Sequence, residues 1–119
     1  MEARKVVGIP TDIFSKKSTM RPDIDAIYKA LANPVRREIL SWLRQPKEHF
    51  PDQAFPFDHG VSAGMIDARC DLSQSTVSAH LAALQDARLV TSQRIGQWVL
   101  FKRDEAVIRS FLDDINSRL

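Results

Sequence analysis

The stretch LSQSTVSAHLAAL, residues 72–84, decides the fold, because its spacing builds a helix with one apolar side and one small, uncharged polar side. Ser73 is placed to cap that helix by accepting a hydrogen bond from the free amides of the first turn. Val77, Leu81 and Leu84 recur at helical intervals, and Gln74, Ser75, Ser78, Ala79 and Ala82 fall on the other side. Hydroxyls and an amide in the first turns of a helix can pair with base edges in a major groove, while alanines permit close approach. An ordinary amphipathic helix with a solvated face fits the same residues, so the flanking segments must decide between the two.

Immediately downstream, RLVTSQRIGQWVLFKRD gathers β-branched and aromatic residues into two runs, Val90 to Ile95 and Gln97 to Arg103, about a turn at Gly96. This predicts a β-hairpin. Between Arg88 and Arg103 the charged residues are Arg88, Arg94, Lys102 and Arg103, with no acid among them, a pattern suited to phosphate contact. A neutral helix followed by a basic hairpin is the layout of a winged helix, in which one element contacts bases and the other the backbone.

Composition sets the outer bounds. A chain of 119 residues with 44% apolar and 27% charged residues is one ordinary globular domain. Its net charge of +2 is too small to argue for nucleic acid by itself, so the position of the charge carries the argument. No run reaches the length of a membrane span and the amino terminus lacks a signal-peptide core, so a cytoplasmic protein is expected. Cys70 is the single cysteine, which excludes a disulfide within the chain and any cysteine-cluster metal site.

Residues 1–22 read as a basic arm, with Arg4, Lys5, Lys16, Lys17 and Arg21 against Glu2 and Asp12; it can add phosphate contacts or pack across a dimer, but a frayed terminus fits better. The domain proper is expected over residues 23–119. Ile24, Ile27, Tyr28 and Leu31 mark a first helix, and Asn33 and Pro34 suit the cap and first position of a second, with Val35, Ile39, Trp42 and Leu43 as its buried stripe. A short third helix spans Ser62 to about Asp71, with Ala63, Ile66 and Cys70 facing inward. Capped at Asp104, the last helix carries Val107, Ile108, Phe111, Leu112 and Ile115, an apolar band wider than one seam requires. A second copy meeting it and the first helix would give a twofold dimer whose reading helices enter successive major grooves about 34 Å apart.

The segments ALANPVRREILSWL and DLSQSTVSAHLAALQDARLV, with IGQWVLFK, resemble the winged helix-turn-helix of the arsenic-repressor (ArsR/SmtB) family of bacterial transcriptional regulators, over residues 25–115. That resemblance implies a mainly α fold with a small β-hairpin wing and a dimeric repressor released from its operator by a metal, a small signal or a change in thiols. It implies Gln74, Ser75, Thr76 and Ser78 in the base-reading part of the helix and Arg94 on the wing. The expected DNA-binding set is therefore Ser73, Gln74, Ser75, Thr76 and Ser78 with Arg94 and Lys102. The family's arsenic-binding cysteine pair falls here on Ser62 and Gly64, and residues 104–119 contain acids but no histidine. Neither familiar metal site is expected, and no metal or cofactor is implied.

An inserted loop over residues 46–61, carrying PKEHFPDQAFPFDHG, lies outside the resemblance. Its His49, Asp52, Asp58 and His59 have no spacing that forces them together around an ion. Its Phe50, Phe55 and Phe57 can pin the loop over the core or line a small-molecule pocket beside Trp42. Cys70 is expected to be buried and inert, and His80 to be a hydrogen-bonded structural residue. Arg88 stands where the family typically has a glycine that ends the reading helix in a left-handed conformation. The reading is a homodimeric repressor on a pseudo-palindromic double-stranded operator, with a small-molecule effector left open. A winged helix used only to bind proteins is the alternative. No nucleophile arrangement or phosphate loop supports an enzyme.

Overall fold

The computed structural model describes residues 22–119, so the arm expected over residues 1–22 lies, except for Pro22, outside the described residues. The elements are α1 (Ile24–Leu31), α2 (Pro34–Arg44), α3 (Pro46–His49), β1 (Val61–Ser62), α4 (Ala63–Cys70), α5 (Gln74–Asp86), β2 (Val90–Ile95), β3 (Trp98–Arg103) and α6 (Glu105–Arg118). Each longer helix starts at a side-chain cap. Asp23 accepts from the Ala26 amide at 3.1 Å, and Asn33 accepts from Val35 and Arg36 at 2.8 and 3.2 Å with Pro34 in the first helical position. Ser62, Ser73 and Asp104 do the same for α4, α5 and α6. Such caps contribute about 1 kcal/mol each.

The core forms where these helices meet the sheet, and the predicted stripes supply it. Ile27 of α1, Ile39 of α2, Ile66 of α4 and Val77 and Leu84 of α5 are fully buried, with Leu89 and Phe101 closing the floor toward the strands. Only Ile66 of the predicted inward trio is buried; Ala63 and Cys70 are half-buried, because α4 lies on the surface and turns a single row of side chains inward.

Two residues other than glycine take a left-handed backbone. Asp71 has φ 56° between α4 and α5. Arg88, with φ 66°, follows the C-cap Ala87 of α5. The Arg88 amide donates to the Gln85 carbonyl at 2.9 Å and the Leu89 amide to the Leu84 carbonyl at 3.0 Å. This paired closure satisfies the last carbonyls of the helix and drops the buried Leu89 beneath it. The arginine adopts the geometry expected of a glycine, at a backbone cost on the order of 1 kcal/mol.

The inserted segment departs from the expectation of a loop. It opens with the turn of helix α3, includes a 3-10 turn at Phe57–His59 and ends in β1. Strand β1 pairs antiparallel with β3, Val61 facing Phe101 and Ser62 facing Leu100. The wing is thus a three-stranded sheet of order β1-β3-β2 rather than a bare hairpin. Side-chain chemistry explains why the segment holds this shape. The Gln53 amide nitrogen donates to the carbonyls of Phe55 and Gly60 at 3.2 and 3.1 Å, while its oxygen accepts from the Ser62 amide at 3.1 Å. Phe50 is buried and meets Trp42 edge-on at 6.3 Å, so Trp42 packs against the insertion's base. Phe55 instead reaches Trp98 at 5.7 Å.

Gly60, at φ 112°, lies against the backbone of β3, and a Cβ there would overlap the Phe101 carbonyl. Gly64 on α4 has open space around its Cβ position. The same substitution therefore has opposite signs at the two sites. Gly60→Ala lowers stability by about 3 kcal/mol through strain and overlap. Gly64→Ala raises it by about 0.5 kcal/mol through helix propensity. Urea denaturation of the two variants beside the parent checks both.

Candidate nucleic-acid interface

The first turn of α5 is uncharged and exposed. Ser73 Oγ accepts from the Thr76 amide at 3.2 Å and lies 2.7 Å from the Thr76 hydroxyl and 3.3 Å from that of Ser75. These three hydroxyls belong to the cap network. Gln74 and Ser78 are the polar side chains of the exposed face outside it, with Ala79 and Ala82 beside them. No acid occupies the first turn, so the positive end of the helix dipole is left unneutralised.

The strand register assigns the wing's side chains to two faces. Residues directly opposed in an antiparallel pair share a face. Ser92 opposes Phe101 and Arg94 opposes Val99, and the Gln85 amide of α5 donates to Ser92 Oγ at 3.0 Å, so this face looks onto α5. Arg94 accordingly stands on the same side as the polar face of α5. Between helix and sheet runs a groove of about 260 Å³, to which Gln74, Ser78 and Ala82 contribute one wall and Val99 and Phe101 the other.

Lys102 opposes Thr91 and belongs to the reverse face, where its Nζ donates to the Asp58 carbonyl of the insertion at 3.1 Å. Arg103 is held by Glu105 in a two-point ion pair of 2.9 and 3.0 Å. The cations that stand together in the sequence are therefore dispersed in space. Arg94 is the one that joins Gln74 and Ser78 on a common face.

Behind α5, Arg36 Nε donates to His80 Nδ1 at 3.1 Å, which makes His80 the hydrogen-bonded structural residue expected of it. Sequence reasoning missed its partner, since 44 residues separate the two. It also missed Arg69, which stacks over the Trp42 ring at 4.8 Å and donates to the His49 carbonyl at 3.3 Å. The His49 ring lies 3.2 Å from the same guanidinium. Among the described residues no three of the insertion's histidines and carboxylates gather around one point. Burial, and behind it the neighbouring Asp67 carboxylate, push the Cys70 thiol up, which keeps it protonated and weakly nucleophilic.

Burial, followed by the Arg36 charge, lowers the His80 imidazole from its ordinary 6.5. The neutral ring is thus favoured in the folded state. Its contribution is complete above about 6.5 and is lost as the pH falls from there through the lower folded value. The denaturation midpoint should fall between pH 7.5 and pH 5, and His80→Gln should flatten part of that decline.

Comparison with known proteins agrees with this geometry. The sequence profile described as "Bacterial regulatory protein, arsR family" matches residues 66–92, from the middle of α4 into β2. The HTH-type transcriptional regulator YbzH of Bacillus subtilis is 35% identical over 95 residues, 78% of this chain and 95% of its own. HlyU of Vibrio cholerae superposes with a TM-score of 0.54 at 28% identity, covering 87% of this chain and 97% of that one. The solution structure of the homodimeric winged helix-turn-helix DNA-binding domain Mb0332 of Mycobacterium bovis gives a TM-score of 0.58 at 27% identity, over 79% of this chain and 77% of that one. No helix among the described residues is long and apolar enough to cross a membrane. The chain belongs to the arsR family of bacterial regulatory proteins, helix-turn-helix regulators of transcription.

Proposed function

We propose that the protein is a sequence-specific double-stranded DNA-binding repressor of the cytoplasm, acting as a homodimer on a pseudo-palindromic operator. The observation that carries this reading is the common face shared by the capped, uncharged start of α5 and by Arg94 of the wing. Gln74 and Ser78 read base edges in the major groove, Ser73, Ser75 and Thr76 hold the helix end against the backbone, and Arg94 takes a phosphate. Lys102 is a secondary contact, because its side chain already serves the Asp58 carbonyl.

The dimer face is built from α1 and α6. Tyr28 and Phe111 meet edge-on at 5.6 Å across the two helices, and around them Tyr28 and Leu112 remain 47% and 55% exposed. Two large apolar side chains presented together are best covered by their own copies across a twofold axis, which also presents two reading helices to one side of a duplex. Occupation of the promoter then blocks access to it.

Binding to the protein's own promoter, followed by fluorescence anisotropy at several salt concentrations, tests the DNA reading. Gln74→Ala and Ser78→Ala relax sequence preference, at about 1–3 kcal/mol of discrimination for a lost base contact. Arg94→Ala weakens binding to all sequences and reduces the salt slope by about one per protomer, and Lys102→Ala does less. Absence of a salt-sensitive, sequence-preferring complex would sink this reading, and uniform affinity with a stable heterologous partner would favour a protein-binding module. For the dimer, Leu112→Arg should convert the sedimenting species to monomer while the circular dichroism spectrum is retained.

A further inference from the structure

The reverse face of the wing and the insertion enclose a cavity of about 280 Å³, lined by Phe55, Pro56, His59, Ile95, Trp98 and Leu100. Its walls are carbon nearly throughout. The floor is the side of the sheet turned away from α5, since Ile95 opposes Trp98 and Leu100 lies on the same face. The roof is supplied wholly by the insertion, whose path is fixed by Gln53 and by the β1–β3 pairing. Phe55 and Trp98 form one end as a wedge, their rings tilted by 51° at 5.7 Å.

The surroundings restrict what fits. Trp98 and Ile95 remain 47% and 39% exposed although both border the cavity, so apolar surface is presented to solvent there at a cost. No lysine, arginine or carboxylate lines it, and Lys102, on the same face, is engaged by the Asp58 carbonyl. Three other cavities of the described residues carry carboxylates or guanidinium groups in their walls. A helix, about 10 Å across with its side chains, does not enter a space of this size. At about 30 Å³ per water the cavity has the volume of roughly nine waters, the bulk of one or two fused rings. The His59 ring has no hydrogen-bond partner among the described residues and stands in the wall where a hydroxyl on such a molecule would meet it.

We propose that this cavity binds a neutral aromatic molecule of one or two rings bearing a hydroxyl group, seated between Phe55 and Trp98 with its polar group toward His59. The site stands independently of the DNA reading. Its regulatory consequence rests on that reading: the molecule bears from behind on the hairpin whose strand β2 carries Arg94 on the opposite face, so its occupancy alters DNA affinity, and DNA alters its affinity by the same factor.

The chain contains two tryptophans, Trp42 and Trp98, so its two indole N–H signals in a proton–nitrogen correlation spectrum report the site directly. Titration of the full chain with 2-naphthol should move the Trp98 signal saturably and leave that of Trp42 unchanged. The anion 2-naphthoate should bind about tenfold more weakly, because no lysine or arginine lines the cavity to offset the loss of hydration. Ile95→Gln, at an exposed position, should weaken 2-naphthol about fivefold through lost apolar contact without disturbing the fold. Two still signals up to the solubility limit, a shift at Trp42 alone, or equal binding to the Ile95→Gln variant would overturn the site. The coupling is read separately, as a change of at least about threefold in DNA affinity at saturating 2-naphthol; an unchanged affinity would overturn the coupling, and absence of DNA binding without the probe would count against the DNA reading instead.

Discussion

Strand β3 is paired along both edges, with β1 on one side and β2 on the other, and the rest of the domain is arranged about that strand. Its alternation sends Val99 and Phe101 toward α5 and Trp98, Leu100 and Lys102 toward the insertion. Because the side-chain period of a strand is two, a slip of one residue would exchange these sets and turn the apolar floor of one face onto the other. Register is held at the β1 end by the approach of Gly60 to the Phe101 backbone, a contact that tolerates no side chain. On the edge shared with β2 the Asp104 amide donates to the Leu89 carbonyl at 2.9 Å, which joins the base of the wing to the chain leaving α5.

The parts of the fold that were legible in the sequence are those whose signals are local. The caps at Asn33, Ser73 and Asp104 are chemical statements made within three residues, and the stripe Val77, Leu81, Leu84 repeats within a single helix. The insertion was misread because its determinants act across distance. Two residues of strand carry no periodicity, and Gln53 looks like any surface glutamine until its amide is seen bridging Phe55, Gly60 and Ser62. Of the two uses the sequence left open for the insertion's aromatics, Phe50 packs on Trp42 over the core, while Phe55 lines a cavity with Trp98 of the hairpin, a partner that lies 43 residues away in sequence.

The candidate site shows the same division. Gln74 and Ser78 follow from the phase of α5, which the apolar stripe fixes. The cations of the hairpin do not, since a cluster in sequence is distributed by the pleat: Arg94 to the face of α5, Lys102 to the reverse, and Arg103 into an ion pair with Glu105. Charge counted along the chain overstated what one surface presents. A hairpin of this kind is better read two residues at a time, with each cation assigned to a face before any is assigned to a phosphate.

Consecutive arginines at the start of α2 grip different helices. Arg36 holds His80 in the middle of α5, while Arg37 Nη1 donates to the Leu31 carbonyl at the end of α1. One helical turn, itself pinned by Asn33, thereby acts as a yoke between α1, on the dimer face proposed above, and α5. Both contacts leave from neighbouring residues, so a single peptide unit of α2 is tied to α1 on one side and to α5 on the other. In the dimer proposed above, the spacing of the two α5 helices is therefore coupled to the seating of α1 through two adjacent residues.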